Sequence, residues 1–385
     1  MFSSTSWQLQ AFDSADFIKN YWQKQPCLFK QAFADMKSPI SPEELAGLAC
    51  EEQVYSRMVL EKGGDSPWQP RYGPFTESDF LSLPDSHYSF LVSECEKWVP
   101  EFAELLELFR FIPRWRVDDV MVSYAPTGGS VGPHTDEYDV FLIQLYGHRN
   151  WKYTNHRVDN PTLLPGIDLA IMQDFKADQD HILEPGDMLY LPPGVAHHGI
   201  AVDSCMTCSV GFRVPTATEV LESFAHEIDK NDLGLKRYDD ADLQTIRHFA
   251  EITPQEVERF RTMVSDLLEQ PAELWLDSIG KLLTDTVNTD FDGEASLADL
   301  ENNRWIIVPG SKMLYHQSDT QIRFYCNGQM TELENTDMLL DAVQQLCTDT
   351  ETSPALIKQC KQNDALLRLL QNMVVSGVMV IHEES

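Results

Sequence analysis

The stretch Gly128-Gly-Ser-Val-Gly-Pro-His134-Thr-Asp136 constrains this chain more than any other. It sets a His and an Asp two residues apart, directly before Tyr138-Asp-Val-Phe-Leu-Ile-Gln-Leu145, an apolar run that reads as a buried strand. In extended backbone, side chains at i and i+2 project to one face, so His134 and Asp136 can grip one ion together. A second stretch, Glu184-Pro-Gly186-Asp-Met-Leu-Tyr-Leu-Pro192-Pro-Gly-Val-Ala-His197-His-Gly199, offers a third ligand. Two His and one carboxylate form the facial triad that suits Fe(II) and leaves coordination positions open.

The glycines and prolines around these ligands sharpen the expectation. Gly128-x5-His134 with the later Gly147 fits the first motif of the cupin barrels, and Gly186-x5-Pro192-x4-His197 fits the second. Cupins usually carry a Glu four residues after the second ligand. Here that place holds Val140, which removes a fourth ligand and favours an open triad. His198 competes with His197 for the third place. Neighbouring residues of a strand point apart, and the spacing from Pro192 selects His197.

At 385 residues the chain has room for two or three domains and a substantial core. No basic stretch followed by an apolar run opens it, so no signal peptide is expected. No segment approaches the roughly 20 apolar residues that span a bilayer. A cytoplasmic protein without membrane contact is expected. Eight scattered cysteines include one C-x-x-C, Cys205 and Cys208, whose side chains would leave a strand on opposite faces. Buried free thiols in a reducing compartment follow. The formal net charge of −32 repels phosphate backbones. It either draws cationic partners or holds water in a salty habitat, and both readings disfavour nucleic acid as a direct ligand.

Periodicity orders the chain. Ser14–Trp22 reads as a short amphipathic helix, Gln25–Lys30 as extended, Ser41-Pro-Glu-Glu as a helix start, and Glu94–Phe109 as a helix. The first hundred residues are expected to be packing scaffold on a barrel. Short apolar or alternating runs at Val117–Tyr124, Tyr138–Leu145, Asn150–Thr154, Asp187–Leu191 and Thr207–Arg213 then predict antiparallel strands. Helices are expected at Thr216–Ile228 and after the capping box Thr253-Pro-Gln-Glu256. From Asn302 the order becomes strands around Lys312–His316 and Gln321–Cys326 with Asn327-Gly328 as a hairpin turn, two helices (about 336–347 and 363–376) and a last strand Val378–His382, an order resembling a winged helix. From 305 onward, acids outnumber Lys312, Arg323, Lys358, Lys361 and Arg368, and no basic stripe marks a DNA-reading helix. The expected class is α+β: a double-stranded β-helix barrel over 1–214, a helical dimerisation segment over 215–290 and a winged-helix-like domain over 291–385. The apolar helical faces near 216–285 lack enough chain to enclose them, which predicts a homodimer.

With both motifs placed, the barrel resembles the JmjC-type 2-oxoglutarate oxygenases, and the whole chain is similar to the bacterial ribosomal oxygenases. Tyr21-Trp-Gln-Lys-Gln-Pro26, Gly132-Pro-His-Thr-Asp-Glu-Tyr-Asp-Val-Phe141, Tyr190-Leu-Pro-Pro-Gly194 and Ser209-Val-Gly-Phe-Arg213 carry the resemblance. It implies Fe(II), 2-oxoglutarate and O2 as cofactor and cosubstrates, with His134, Asp136 and His197 as metal-holding catalytic residues. It implies a basic ribosomal protein of the large subunit as partner, hydroxylated on the β-carbon of an arginine of protein sixteen. Related eukaryotic enzymes act on histidine and generally meet the cosubstrate with Lys, whereas this chain offers Arg149 at the matching place. A guanidinium grips a carboxylate through two parallel bonds; Ser123 could support it.

Strand parity extends the site. If Ser123 faces inward, so do Met121 and Asp119, and Tyr138 shares parity with His134 and Asp136. Asp119 could pair with a substrate guanidinium, Met121 and Tyr138 could flank its stem, and Ser209 could add a hydroxyl. On residues alone Met121 and Tyr138 serve equally as core packing; the resemblance tips them toward contact. Three rivals stand: a histidine hydroxylase of another ribosomal protein, a cupin enzyme that does not use 2-oxoglutarate, and a binding protein without catalysis.

Overall fold

The computed structural model describes residues 7–10, 12–61, 68–243, 250–285, 300, 302–349 and 351–381. The chain divides into two compact units, Met1–Val214 and Pro215–Ser385. The strands of the first are β1 (Cys27–Phe29), β2 (Ser56–Leu60), β3 (Pro70–Tyr72), β4 (Tyr88–Val92), β5 (Val117–Ala125) and β6 (Asp139–Tyr146). They continue with β7 (Arg149–Arg157), β8 (Gln179–Leu183), β9 (Met188–Leu191), β10 (Val195–Ala201) and β11 (Cys205–Phe212). One sheet runs β1-β9-β6-β11-β5-β4-β2-β3 and a smaller one β10-β7-β8. Every ladder in them is antiparallel.

The alternation of β5 decides which residues meet the site. Val120 and Val122 are fully buried in an aromatic core with Phe17, Phe102 and Phe109. Asp119, Met121 and Ser123, on the opposite parity, face a cavity instead. β6 is covered on both faces: Phe141 and Ile143 join the helix-side core, while Val140 and Leu142 pack with Leu189 and Leu191 between the sheets. Each such buried side chain contributes about 1.5–3 kcal/mol, and a one-residue slip would exchange the two faces. The register is therefore strongly specified.

Short helices cover the outer face of the large sheet: α1 (Ser14–Asn20), α2 (Pro42–Leu48), α3 (Glu77–Leu81) and α4 (Pro100–Glu107). Asp13 caps α1 by accepting from the Ala15 and Asp16 N–H groups, and Ser41 with Glu44 forms a capping box on α2. The expected helix over Glu94–Phe109 is broken. Cys95–Lys97 is a 3₁₀ turn and α4 begins only at Pro100, because Pro lacks an N–H and its ring clashes with the preceding turn of a helix. The first hundred residues are also more than scaffold, since β2, β3 and β4 extend the main sheet. A buried pair ties the N-terminal segment down. Asp139, wholly buried, accepts from Arg116 (2.7 Å), Tyr190 (2.5 Å) and Gln23 (3.0 Å).

The second unit opens with α5 (Ala217–Lys230), α6 (Pro254–Leu268) and α7 (Ala272–Thr284). α7 is an addition to the sequence expectation. Phe224 of α5 stacks on Trp275 of α7 at 3.6 Å between centroids, and Lys281 pairs with the buried Glu227 at 2.5 Å. Two strands pair as β12 (Trp305–Ile307) with β16 (Met379–Ile381), and β13 (Met313–Gln317), β14 (Gln321–Cys326) and β15 (Gln329–Glu334) form a meander around the Asn327-Gly328 turn. Helices Asp337–Thr348 and Asp364–Val375 meet expectation, with Pro354–Cys360 between them. The expected boundary at 290/291 and His382 lie outside the described residues. Among those described, no helix is long and apolar enough to cross a membrane.

Candidate active site

His134, Asp136 and His197 come together as a group whose ligand atoms all lie within 4.8 Å of one another. The first two precede β6 rather than lying in it, and a backbone clasp holds them. His134 N–H donates to the His197 carbonyl at 3.0 Å, and His197 N–H returns the bond to His134 at 2.9 Å. Nδ1 of His134 donates to the Gly132 carbonyl (2.9 Å) and Nδ1 of His197 to the Val195 carbonyl (3.0 Å). A carbonyl only accepts, so both rings carry a proton on Nδ1 and leave Nε2 as the atom that can meet a metal. Those Nε2 atoms lie 3.7 and 3.4 Å from the Asp136 oxygens. Gly132 sits at φ +83°, where a Cβ would strike Ile171, so glycine shapes the turn that offers this carbonyl. Burial pushes the His197 imidazole down to about 4, which keeps it neutral, as a ligand must be. Two imidazoles and a carboxylate converging on one point fit Fe(II).

Beside the triad, a cavity of about 390 Å³ opens between the two sheets. Arg149, on β7, lines it while only 3 % exposed. Its guanidinium donates to Ser123 Oγ and to the Gly199 carbonyl, both at 3.3 Å, and lies over the Trp151 ring at 5.2 Å. Among the described residues no carboxylate lies within ion-pair distance, and neither Nε nor the Trp151 indole N–H has a partner. Burial lowers the guanidinium's pKa, the sign of an uncompensated charge. Such a charge is costly unless an anion meets it. Gly199 leaves the room: a Cβ there would stand 2.7 Å from both the Arg149 Nε and the Trp151 ring. A planar carboxylate arriving through the cavity, as in 2-oxoglutarate, fits these donors.

Known proteins resemble this chain in sequence and fold. A family model for the JmjC domain matches residues 104–220. The ribosomal protein uL16 3-hydroxylase of Escherichia coli is 41% identical over 256 residues, 66% of this chain and 67% of that protein. A probable ribosomal oxygenase of Haemophilus influenzae is 39% identical over 228 residues, 58% of this chain and 55% of that one. The structure of YcfD, a ribosomal oxygenase from Escherichia coli in complex with cobalt and 2-oxoglutarate, superposes with a TM-score of 0.81 at 31% identity, covering 98% of this chain and 100% of that one. The chain belongs to the JmjC-type ribosomal oxygenases. Its two antiparallel sheets are the cupin-type barrel of that family.

The other residues expected at the site of this ribosomal oxygenase all line the same cavity: Asp119, Met121, Ser123, Tyr138 and Ser209. Ser123 donates to the Thr207 carbonyl at 3.3 Å while accepting from Arg149. Asp119 accepts from the Glu94 N–H at 3.3 Å. His198 points away, bonded to Ser130 Oγ at 2.9 Å. Sequence reasoning missed Tyr55, just before β2, and Arg57 of β2, which line the cavity from beyond β4, and Trp151. An aromatic two residues after Arg149 was the available signal for Trp151.

It also missed Glu96, buried under β5, whose carboxylate accepts from the Val120 N–H at 2.9 Å. Burial pushes this acid up to about 7, with Asp119 adding to the rise and the Val120 bond opposing it. The unfolded chain would titrate near ~4.3, so between that value and 7 the folded state holds the extra proton. Stability therefore falls as pH rises through this window and levels off above it. Glu96→Gln keeps the acceptor and removes the charge. Its apparent Tm should match wild type at pH 4 and exceed it by several degrees at pH 8, from roughly 3 kcal/mol of relieved burial. Parallel pH profiles in thermal melts would refute this.

Proposed function

We propose that the chain is an Fe(II)- and 2-oxoglutarate-dependent protein hydroxylase, adding a hydroxyl to the β-carbon of an arginine in large-subunit ribosomal protein uL16. The observation that carries this reading is a buried guanidinium, without an anion among the described residues, in the cavity of a His–Asp–His triad. Fe(II), 2-oxoglutarate and O2 supply, when bound, the oxidation that turns C–H into C–OH and releases succinate and carbon dioxide. The protein's share is placement. His134, Asp136 and His197 hold the metal from one side; Arg149, steadied by Ser123, takes the far carboxylate of the cosubstrate. Val140 and Leu142 on the cavity wall exclude water. Asp119 pairs with the substrate guanidinium, Met121 and Tyr138 flank its stem, and Ser209 offers a hydroxyl.

Matched uL16 peptides with Arg or His at the target position test this, read by mass spectrometry for the gain of one oxygen. The Arg peptide should be hydroxylated in a 2-oxoglutarate-dependent manner. Asp119→Ala should cut kcat/KM by roughly 30-fold or more, since removing one partner of a shielded charge pair costs about 2–5 kcal/mol. Preference for the His peptide would move the chain to the histidine branch. Hydroxylation without 2-oxoglutarate would make it a different kind of cupin enzyme.

The remaining assignments belong to the same reading. The net charge of −32 attracts a basic ribosomal protein in a cytoplasmic setting and repels nucleic acid. Residues 215–290 form a dimerisation segment and 291–385 a winged-helix-like domain. α6 supports the homodimer: Val257, Phe260, Val264 and Leu268 follow one face and stand 38–51 % exposed, an apolar stripe that a second copy would cover. Val264→Glu should shift sedimentation from dimer to monomer. A Val264→Glu protein that still sediments as a dimer would place the interface elsewhere.

A further inference from the structure

Arg57 is the cavity-lining cation that the proposed reaction leaves without work. It stands on β2, opposite Leu91 of β4, which is itself opposite Ser123 of β5, so its side chain shares the inward face of the sheet. It is half-buried, and it forms no hydrogen bond or ion pair among the described residues. It shares the cavity wall with Tyr138, Met121 and Asp119, the residues proposed to meet the substrate side chain. The acidic residues sharing the wall, Asp118 and Asp119, only accept when ionised.

We infer that Arg57 binds a main-chain carbonyl of the substrate next to the target residue, and so fixes the β-carbon as the carbon presented to the metal site. The inference rests on the proposed β-carbon hydroxylation. A β-carbon is one bond from the backbone, about 1.5 Å, so presenting it draws the flanking peptide groups into the cavity. There they lose water and need donors. A reaction further along the side chain would leave the backbone outside and give Arg57 nothing to hold. Its fork of N–H groups suits a carbonyl, and its charge repels a substrate guanidinium from this wall toward Asp119. Arg57 thus sets the direction of the side chain as well as its depth.

The test uses the full-length protein and three uL16 peptides: the native one and two in which an ester replaces one of the amide bonds flanking the target arginine, weakening the carbonyl as an acceptor. Arg57→Gln should lose roughly ten- to a hundredfold in kcat/KM on the native peptide, and Arg57→Lys should lose less. Affinity for 2-oxoglutarate and thermal melting should stay at wild-type values, separating a substrate contact from a structural one. One ester should slow the wild type and have no further effect on Arg57→Gln, the signature of a direct pair. Undiminished kcat/KM in Arg57→Gln, or equal ester penalties in both proteins, would each overturn the inference. A wild-type protein that leaves the native peptide unmodified would overturn the underlying reading and this inference with it.

Discussion

Arg149→Leu should weaken 2-oxoglutarate binding by roughly two orders of magnitude or more and leave the ligand-free protein no less stable. Both halves follow from one fact. The Arg149 guanidinium is 3 % exposed, its contacts are a hydroxyl, a carbonyl and an aromatic face, and no carboxylate among the described residues pairs with it. Without an anion the charge is a liability, and replacing it by an apolar side chain of similar length removes that cost. With the cosubstrate present the balance reverses, because the same charge then makes two parallel bonds to a carboxylate in a shielded pocket. Losing one partner of such a pair costs about 3–5 kcal/mol, or roughly 10²- to 5 × 10³-fold in affinity. The measurement is thermal melting with and without 2-oxoglutarate. Saturation at a hundred times Kd stabilises wild type by about 2.7 kcal/mol, and the variant should show little or no shift. Arg149→Lys keeps the charge but loses the fork, and should fall between. A full shift in Arg149→Leu would place the cosubstrate elsewhere.

The parts of this site that were legible in the sequence are those carried by local chemistry. His134 and Asp136 announce themselves because glycine and proline punctuate a turn that leads into an apolar run. The parity of β5 was readable because Val120 and Val122 alternate with Asp119, Met121 and Ser123. What stayed hidden depends on pairing across long separations. β2 reads as an ordinary short run with burial on both parities. Only its ladder with β4, and that of β4 with β5, brings Tyr55 and Arg57 to the cavity. Glu96 resembles any surface acid until the 3₁₀ turn at Cys95–Lys97 tucks it against the Val120 N–H. The requirement for glycine at 199 is likewise set by Arg149 and Trp151, fifty residues away in the chain.

His197→Ala should abolish turnover and metal binding, whereas His198→Ala should keep both. Two adjacent histidines invite confusion, and the structure separates them by the alternation of β10. His197 is 2 % exposed and turns inward, its ring 4.3 Å from that of His134, with Nδ1 tied to the Val195 carbonyl and Nε2 aimed at Asp136. His198 turns to the other face, bonds Ser130 Oγ and meets the edge of Phe175 at 6.1 Å. Burial holds both imidazoles near 4, so protonation does not distinguish them; direction does. Removing His197 leaves two ligands and breaks the triad that an open-site Fe(II) needs. Removing His198 deletes one hydrogen bond, worth about 1 kcal/mol, on a surface the reaction does not use. Elemental analysis should find about one Fe(II) per chain in wild type and His198→Ala, as one triad requires, and none in His197→Ala. His134→Ala should behave as His197→Ala does, because the two rings are clasped through a reciprocal pair of backbone bonds and serve one ion. A metal-free, inactive His198→Ala beside an active His197→Ala would reverse the assignment. It would also require β10 to sit one residue out of register, exchanging every side chain it sends into the cavity.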